Sequence, residues 1–187
     1  MHLFLDTEFT GLHQYTTLIS LALVADDGRS FYAELTDFNT TQLTDWHRQH
    51  VLPSLFLEQE GIQTTTTHTL AKGSKATITQ ALRIWLADYE RVEVWADVLM
   101  YDWVLFCELF GGALHLPSNI YFIPFDFATL LHLQGFDPDT PRSRLAFSNA
   151  TQQQLFEATL PASVRQHSAW YDAHILRNAY LNLIPAK

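Results

Sequence analysis

Hydrophobic and polar positions change their spacing several times along the chain, and each change marks an expected element. Apolar Leu3-Phe4-Leu5 begins a strand that brings Asp6 and Glu8 to its end. An almost wholly apolar run at residues 17–24 predicts a second, buried strand. Asp26-Asp27-Gly28 is a hairpin signal, and residues 30–35 are the return strand. Three antiparallel strands are therefore expected first. Residues 41–52 carry a helical pattern that Pro53 ends. Residues 55–75 show little pattern, and the threonines at 64–67 read as surface loop.

Thr77 and Gln80 make a capping-box pair. Ile78, Ala81, Leu82, Trp85, Leu86 and Tyr89 follow at the spacing of one helix face, which predicts a strongly amphipathic helix. Next come a strand at 92–96, a helix at 101–110 closed by Gly111-Gly112, a strand at 120–123 and a helix from about 126 to 134. Pro138 and Pro141 break the chain into a loop that carries Arg142 and Arg144. A last helix spans about 168–183, with Ile175, Leu176, Ala179, Tyr180 and Leu183 on its apolar face. Antiparallel strands followed by alternating helices and strands predict a mixed α/β sheet covered by helices. No repeat or boundary interrupts the pattern, so residues 1–187 are expected to form one domain.

Composition narrows the setting. With 187 residues, 48% hydrophobic and 13% aromatic, the chain can bury a sizeable core and is not expected to be disordered. Asp6 arrives before a signal-peptide core can form, and no apolar run reaches the length of a membrane span. A cytoplasmic protein with no membrane partner is expected. The single cysteine, Cys107, lies in an apolar stretch and reads as a buried, inert thiol in a reducing compartment. The net charge of −9 argues against a broad basic face that coats nucleic acid. It leaves room for a nucleic-acid enzyme whose metals carry the local positive charge.

Asp6 and Glu8 are two apart on a strand, so both project to one face. Carboxylates that close repel each other unless a proton or a cation lies between them. All-oxygen donors suit magnesium or manganese; the plainer alternative is a solvated edge strand. Thr10-Gly11 supplies a turn where bare backbone can approach a ligand. Asp102 falls in the first turn of a helix, where the dipole alone favours an acid. Asp172 shares a stripe with Leu176, Ala179 and Leu183, and a carboxylate on a buried stripe is costly unless paired or metal-bound. His167 precedes Ser168, a candidate helix cap, and taken alone reads as a surface histidine.

In combination these residues resemble the DEDDh (DnaQ-like) 3′–5′ exonucleases of the ribonuclease H-like fold. Asp6-Thr7-Glu8 with Thr10-Gly11-Leu12 is similar to that family's first motif, Tyr101-Asp102 to its second and His167-x-Ala169-x-x-Asp172 to its third. Through Trp95-Ala96-Asp97 and Tyr101-Asp102-Trp103 the resemblance is closest to the small mycobacterial-type exoribonucleases. It implies a mixed sheet of three antiparallel strands, then parallel strands, flanked by helices. It also implies two Mg²⁺ or Mn²⁺ ions held by Asp6, Glu8, Asp102 and Asp172, with His167 as general base. Thr7, Phe9, Thr10, Gly11, Leu12 and Tyr101 become the expected substrate-binding residues. Relatives often form homodimers, so a second copy of the chain is a further candidate partner.

The expected reaction releases 5′-mononucleotides from the 3′ end of RNA; an exodeoxyribonuclease using the same site is the alternative. A nucleic-acid-binding module without chemistry, or a structural α/β protein with coincidental acids, stands further off, because the five-residue set is intact. The family often has asparagine where this chain has Asp97, which leaves two readings: an added acid near the metals or a solvated loop residue. Arg142 and Arg144 likewise read either as phosphate contacts or as a solvated loop. Trp103 and Phe106 are expected in the core.

Overall fold

The computed structural model describes residues 1–184. β1 (His2–Phe9), β2 (Leu18–Ala25) and β3 (Ser30–Leu35) form the expected antiparallel set. β1 runs through the acids, so Asp6 and Glu8 are strand residues. Gly28 turns the β2–β3 hairpin with φ +87, a conformation a side chain would resist.

Residues 55–75 correct the sequence expectation of a loop. β4 (Gly61–Thr64) and β5 (His68–Gly73) form a hairpin there, and β5 pairs parallel with β3. The pattern concealed them because β4 is exposed throughout, while β5 buries only Thr69, Ala71 and Gly73. These small residues admit the following helix: a Cβ on Gly73 would lie 3.3 Å from the Thr77 side chain. That helix, α1 (Lys75–Leu86), starts before Thr77. Its cap is Ser74, whose hydroxyl accepts the Thr77 amide, and its buried face is the predicted one.

β6 (Glu93–Ala96) lies parallel to β1, and α2 (Met100–Leu109) follows. The strand expected at 120–123 shrinks to one bridge between Val92 and Ile120. Pairing resumes only at β7 (Phe125–Asp126), after Pro124, which has no N–H to donate. Asp126 then caps α3 (Phe127–Leu133). Arg142 and Arg144 sit in a short helix, α4 (Arg142–Ala146), where a loop was expected. α5 (Ala150–Glu157) has no sequence counterpart, and no fully buried residue to signal it. α6 (Ala169–Leu183) buries Ile175, Leu176, Ala179 and Tyr180 as predicted. Ser168 stands at its cap position, but its hydroxyl makes no capping bond.

The sheet order is β4-β5-β3-β2-β1-β6-β7, with β1 in the interior between β2 and β6. α1 and α2 cover the face that carries Leu3 and Leu5, and α3, α4 and α6 cover the face that carries Phe4 and Val24. Phe106 is buried in the first core with Trp103 packed against it, and Cys107 is buried, its thiol pushed up to about 11 by burial. Among the described residues no helix is long and apolar enough to cross a membrane.

The helix expected at 41–52 is replaced by three short turns, Thr40–Gln42, a π-helical turn at His47–Val51 and Leu52–Ser54. Specific anchors hold this segment in place of a regular apolar face. His47 Nδ1 accepts the Thr44 amide at 3.1 Å, which leaves Nε2–H to donate to the Phe9 carbonyl at 3.1 Å. Buried Glu34 accepts the amides of Phe56 and Leu57 at 2.7 and 3.0 Å and the Tyr32 hydroxyl at 3.1 Å. Lys72 Nζ, 3.2 Å from the other Glu34 oxygen, compensates its charge. Lys72→Met is therefore expected to destabilise the protein by about 3 kcal/mol in urea unfolding, the lower end for breaking a buried pair. A change below about 1 kcal/mol would mean that Glu34 is compensated elsewhere.

Candidate active site

Strand alternation decides which face each acid of β1 meets. Asp6 and Glu8 share the parity of Phe4 and project toward α6. Thr7 shares the parity of Leu5 and meets α2 instead. Asp172, in the first turn of α6, completes a cluster with Asp6 and Glu8: one carboxylate oxygen from each lies within 4.8 Å of the other two. Asp102, in the first turn of α2, comes from the opposite side of β1 and stands outside this closest group. Its Oδ1 accepts the Thr7 hydroxyl at 2.6 Å. The sequence expectation assigns Thr7 to substrate; its side chain is buried and turned to Asp102.

All four acids are pushed toward their protonated forms. Burial is the main cause throughout; Glu8 rises to about 8, Asp172 to about 7 and Asp102 to about 6. Asp6 is raised by burial and then by Asp172, Asp102, Glu8 and Asp97. Among the described residues, no lysine or arginine nitrogen lies within 4.0 Å of any of the four. Among the described residues, the one arginine or lysine lining the same cleft, Arg142, is engaged by Asp97 through two bonds of 2.8 and 2.7 Å. It also donates to the Pro138 and Thr140 carbonyls. Asp97 is thus an ion-paired residue at the cleft wall, and Arg142 is its partner rather than part of a solvated loop.

This charge state has a pH signature. A carboxyl raised in the folded state, against about 4 when unfolded, stabilises fully below that value and loses its contribution as pH rises through the folded pKa. Buried His174, lowered to about 4, has the opposite sign, but its effect is confined below about 6.5. In chelator the melting temperature is therefore expected to fall between pH 6.5 and 9, as Asp172 and Glu8 ionise. Glu8→Gln should flatten that fall. A parent protein equally stable across this range would contradict the raised carboxyl values.

His167 lies at the entrance to α6 with φ +66, unusual for a residue with a side chain. Its N–H donates to Asp172 Oδ2 at 2.9 Å, and it lines the same cleft of about 540 Å³ as Asp6 and Asp172. Burial, then neighbouring His50, lowers its pKa below the usual imidazole value, which favours the neutral ring. The half-exposed Trp46 ring stands 5.1 Å from the His167 ring, centroid to centroid, and His50 stands at 6.2 Å. Neither Trp46 nor His50 belongs to a recognisable motif; the density of aromatic and imidazole rings at 46–50 is the signal in the sequence that points to them.

Thr10 is buried and donates its hydroxyl to Gln42 Oε1 at 2.6 Å while accepting the Thr17 amide at 2.9 Å. The Gly11 amide donates to Thr16 at 3.0 Å, and a Cβ on Gly11 would come within 3.0 Å of the His13 ring. The loop so held leaves Leu12 79% exposed, with Tyr15 beside it at 74%. Phe9 and Tyr101, both half-buried, stack on each other at 5.2 Å.

The sheet topology and its helical cover define an α/β protein of the ribonuclease H-like class, with its acidic cluster built from interior strand β1 and the first turn of α6. The chain belongs to the 3′-5′ exoribonuclease Rv2179c-like domain family, whose model matches residues 1–184. It is similar to the 3′-5′ exoribonuclease Rv2179c of Mycobacterium tuberculosis (strain ATCC 25618 / H37Rv), 32% identical over 126 residues, 64% of this chain and 67% of that protein. The 3′-5′ exoribonuclease MT2234.1 of the CDC 1551 / Oshkosh strain matches with the same figures. Among solved structures, the Neurospora crassa Pan2 catalytic unit (protease and nuclease domain) aligns at 13% identity with a TM-score of 0.43. That match covers 97% of this chain and 26% of the Pan2 chain.

Proposed function

We propose that the chain is a metal-dependent 3′–5′ exoribonuclease that releases 5′-mononucleotides from the 3′ end of RNA. The observation that carries the reading is the convergence of Asp6, Glu8 and Asp172 with no lysine or arginine partner among the described residues, beside a histidine whose neutral form is favoured. Family membership and the relatives' names as exoribonucleases support the choice of RNA. The donor set is all oxygen and electrostatically strained, which fits Mg²⁺ or Mn²⁺. Asp6, Glu8 and Asp172 would hold the metal, with Asp102 reaching in from α2.

Divalent ions bound there would supply activation of the attacking water and stabilisation of the leaving oxygen in phosphodiester hydrolysis. The side chains do the rest. His167 takes a proton from the attacking water at an imidazole nitrogen, and its depressed pKa leaves that nitrogen free at neutral pH. Leu12 and Trp46 offer apolar and aromatic surface to the terminal base, a contact tolerant of sequence. Thr10 and Gln42 keep the Leu12 loop in shape, and Thr7 orients Asp102.

The test compares matched RNA and DNA oligonucleotides with Mg²⁺, with Mn²⁺ and in chelator. Linear RNA with a 3′-hydroxyl should be shortened from that end to mononucleotides only when metal is present. A 3′-phosphate should slow the reaction and a circle should resist it. Efficient cutting of circles would make the enzyme an endonuclease, and faster hydrolysis of DNA would move it to the exodeoxyribonucleases.

A further inference from the structure

We infer that Ser54 is the positioning residue for His167, acting on its main chain rather than on its ring. The inference rests on His167 serving as the base. His167 has a left-handed backbone, φ +66, which a residue with a Cβ keeps only where the surroundings impose it. Two hydrogen bonds impose it. Its N–H is taken by Asp172, five residues on. Its carbonyl accepts the Ser54 hydroxyl at 2.9 Å, across 113 residues of sequence.

Ser54 is built for that contact. It is 4% exposed, and its hydroxyl proton is shared with the Val51 carbonyl of its own turn, at 2.7 Å. The turn is fastened on both sides. Before it, His47 donates to the Phe9 carbonyl at the end of β1; after it, Glu34 of β3 accepts the Phe56 and Leu57 amides. The hydroxyl is thereby fixed relative to the strand that carries Asp6 and Glu8.

The same segment touches His167 twice. Ser54 holds the backbone, and Trp46 stands edge-on to the ring at 5.1 Å. The backbone conformation directs the Cα–Cβ bond, so releasing the carbonyl lets φ relax to a negative value and swings the imidazole away from the cleft it lines with Asp6 and Asp172. A base displaced by about 1 Å loses on the order of 10²-fold in rate. Ser54 touches no candidate metal ligand in the described structure, so metal binding should not depend on it.

The experiment is a double-mutant cycle on the full chain with saturating Mn²⁺ and 3′-hydroxyl RNA, using Ser54→Ala, His167→Asn and both together. Ser54→Ala is expected to lower kcat about 10- to 100-fold with KM and Mn²⁺ affinity nearly unchanged. In the His167→Asn background the same change should cost less than about twofold. Without metal or substrate, the His167 ring signal in ¹⁵N NMR, assigned by its absence from His167→Asn, should shift in Ser54→Ala. Ser54→Thr, which keeps a hydroxyl, should restore the signal and most of the rate. If Ser54→Ala does not fold, Ser54→Cys, similar in size and a weaker donor, takes its place with the same expected pattern. Kcat unchanged in the folded variant, equal losses in both backgrounds, or an unmoved His167 signal would each overturn the inference. Full activity in His167→Asn would instead remove the base itself, and is read separately.

Discussion

Asp172→Asn is expected to abolish most turnover and nearly all the thermal stabilisation that saturating manganese gives the parent, without destabilising the metal-free protein. Three carboxylates within 4.8 Å of one another store repulsion in the absence of a cation. Burial has already driven Asp172 up to about 7. Removing its charge relieves Asp6 and Glu8, and the asparagine carbonyl can still accept the His167 amide that Asp172 now takes at 2.9 Å. Stability in chelator should therefore stay level or rise. Metal at 100 times its dissociation constant stabilises the folded state by about 2.7 kcal/mol, and that increment should vanish. An acid held only as a structural acceptor would behave otherwise, costing about 0.5–2 kcal/mol on removal, equally with and without metal. Two melting curves for each protein separate these outcomes. Equal destabilisation in both buffers would take Asp172 out of the metal site.

His167→Asn should lower kcat by about 10²–10⁴-fold, the usual range for a general base, while leaving the fold and metal binding intact. Asparagine tolerates the left-handed backbone better than most residues, so φ +66 is kept and the loss reports the imidazole. A base must be neutral to accept a proton, so the parent should lose activity as pH falls and the imidazolium forms. Burial and His50 place that acid limb below the ordinary histidine value of 6.5. The limb should flatten in His167→Asn at saturating metal. Activity within tenfold of the parent would remove His167 from the mechanism.

The elements that the sequence made visible are those with one regular buried face. The apolar runs of β1–β3, the 3.6-residue stripe of α1 and the Asp172-Leu176-Ala179 stripe of α6 are borne out by the structure. Strand parity alone placed Asp6 and Glu8 together, because i and i+2 on a strand have no choice of face. The failures share one cause as well. β4 is exposed on both faces, β5 buries small residues, and α5 has no fully buried residue, so none presents an apolar period to read. The segment at 41–52 has a helical apolar pattern, yet it folds as short turns, with His47 tied to the Phe9 carbonyl.

What the sequence determined by itself, then, is the set of faces: which side of β1 holds acids, which side of α6 is buried, and which order the motifs take. Which partners those faces meet is a matter of tertiary structure. Thr7 reaches Asp102 across 95 residues, Arg142 reaches Asp97 across 45, and Ser54 reaches His167 across 113. Periodicity reports whether a side chain points inward or outward within its own element. It carries no record of the element packed opposite, and a hydrogen bond exists only once both surfaces are in place.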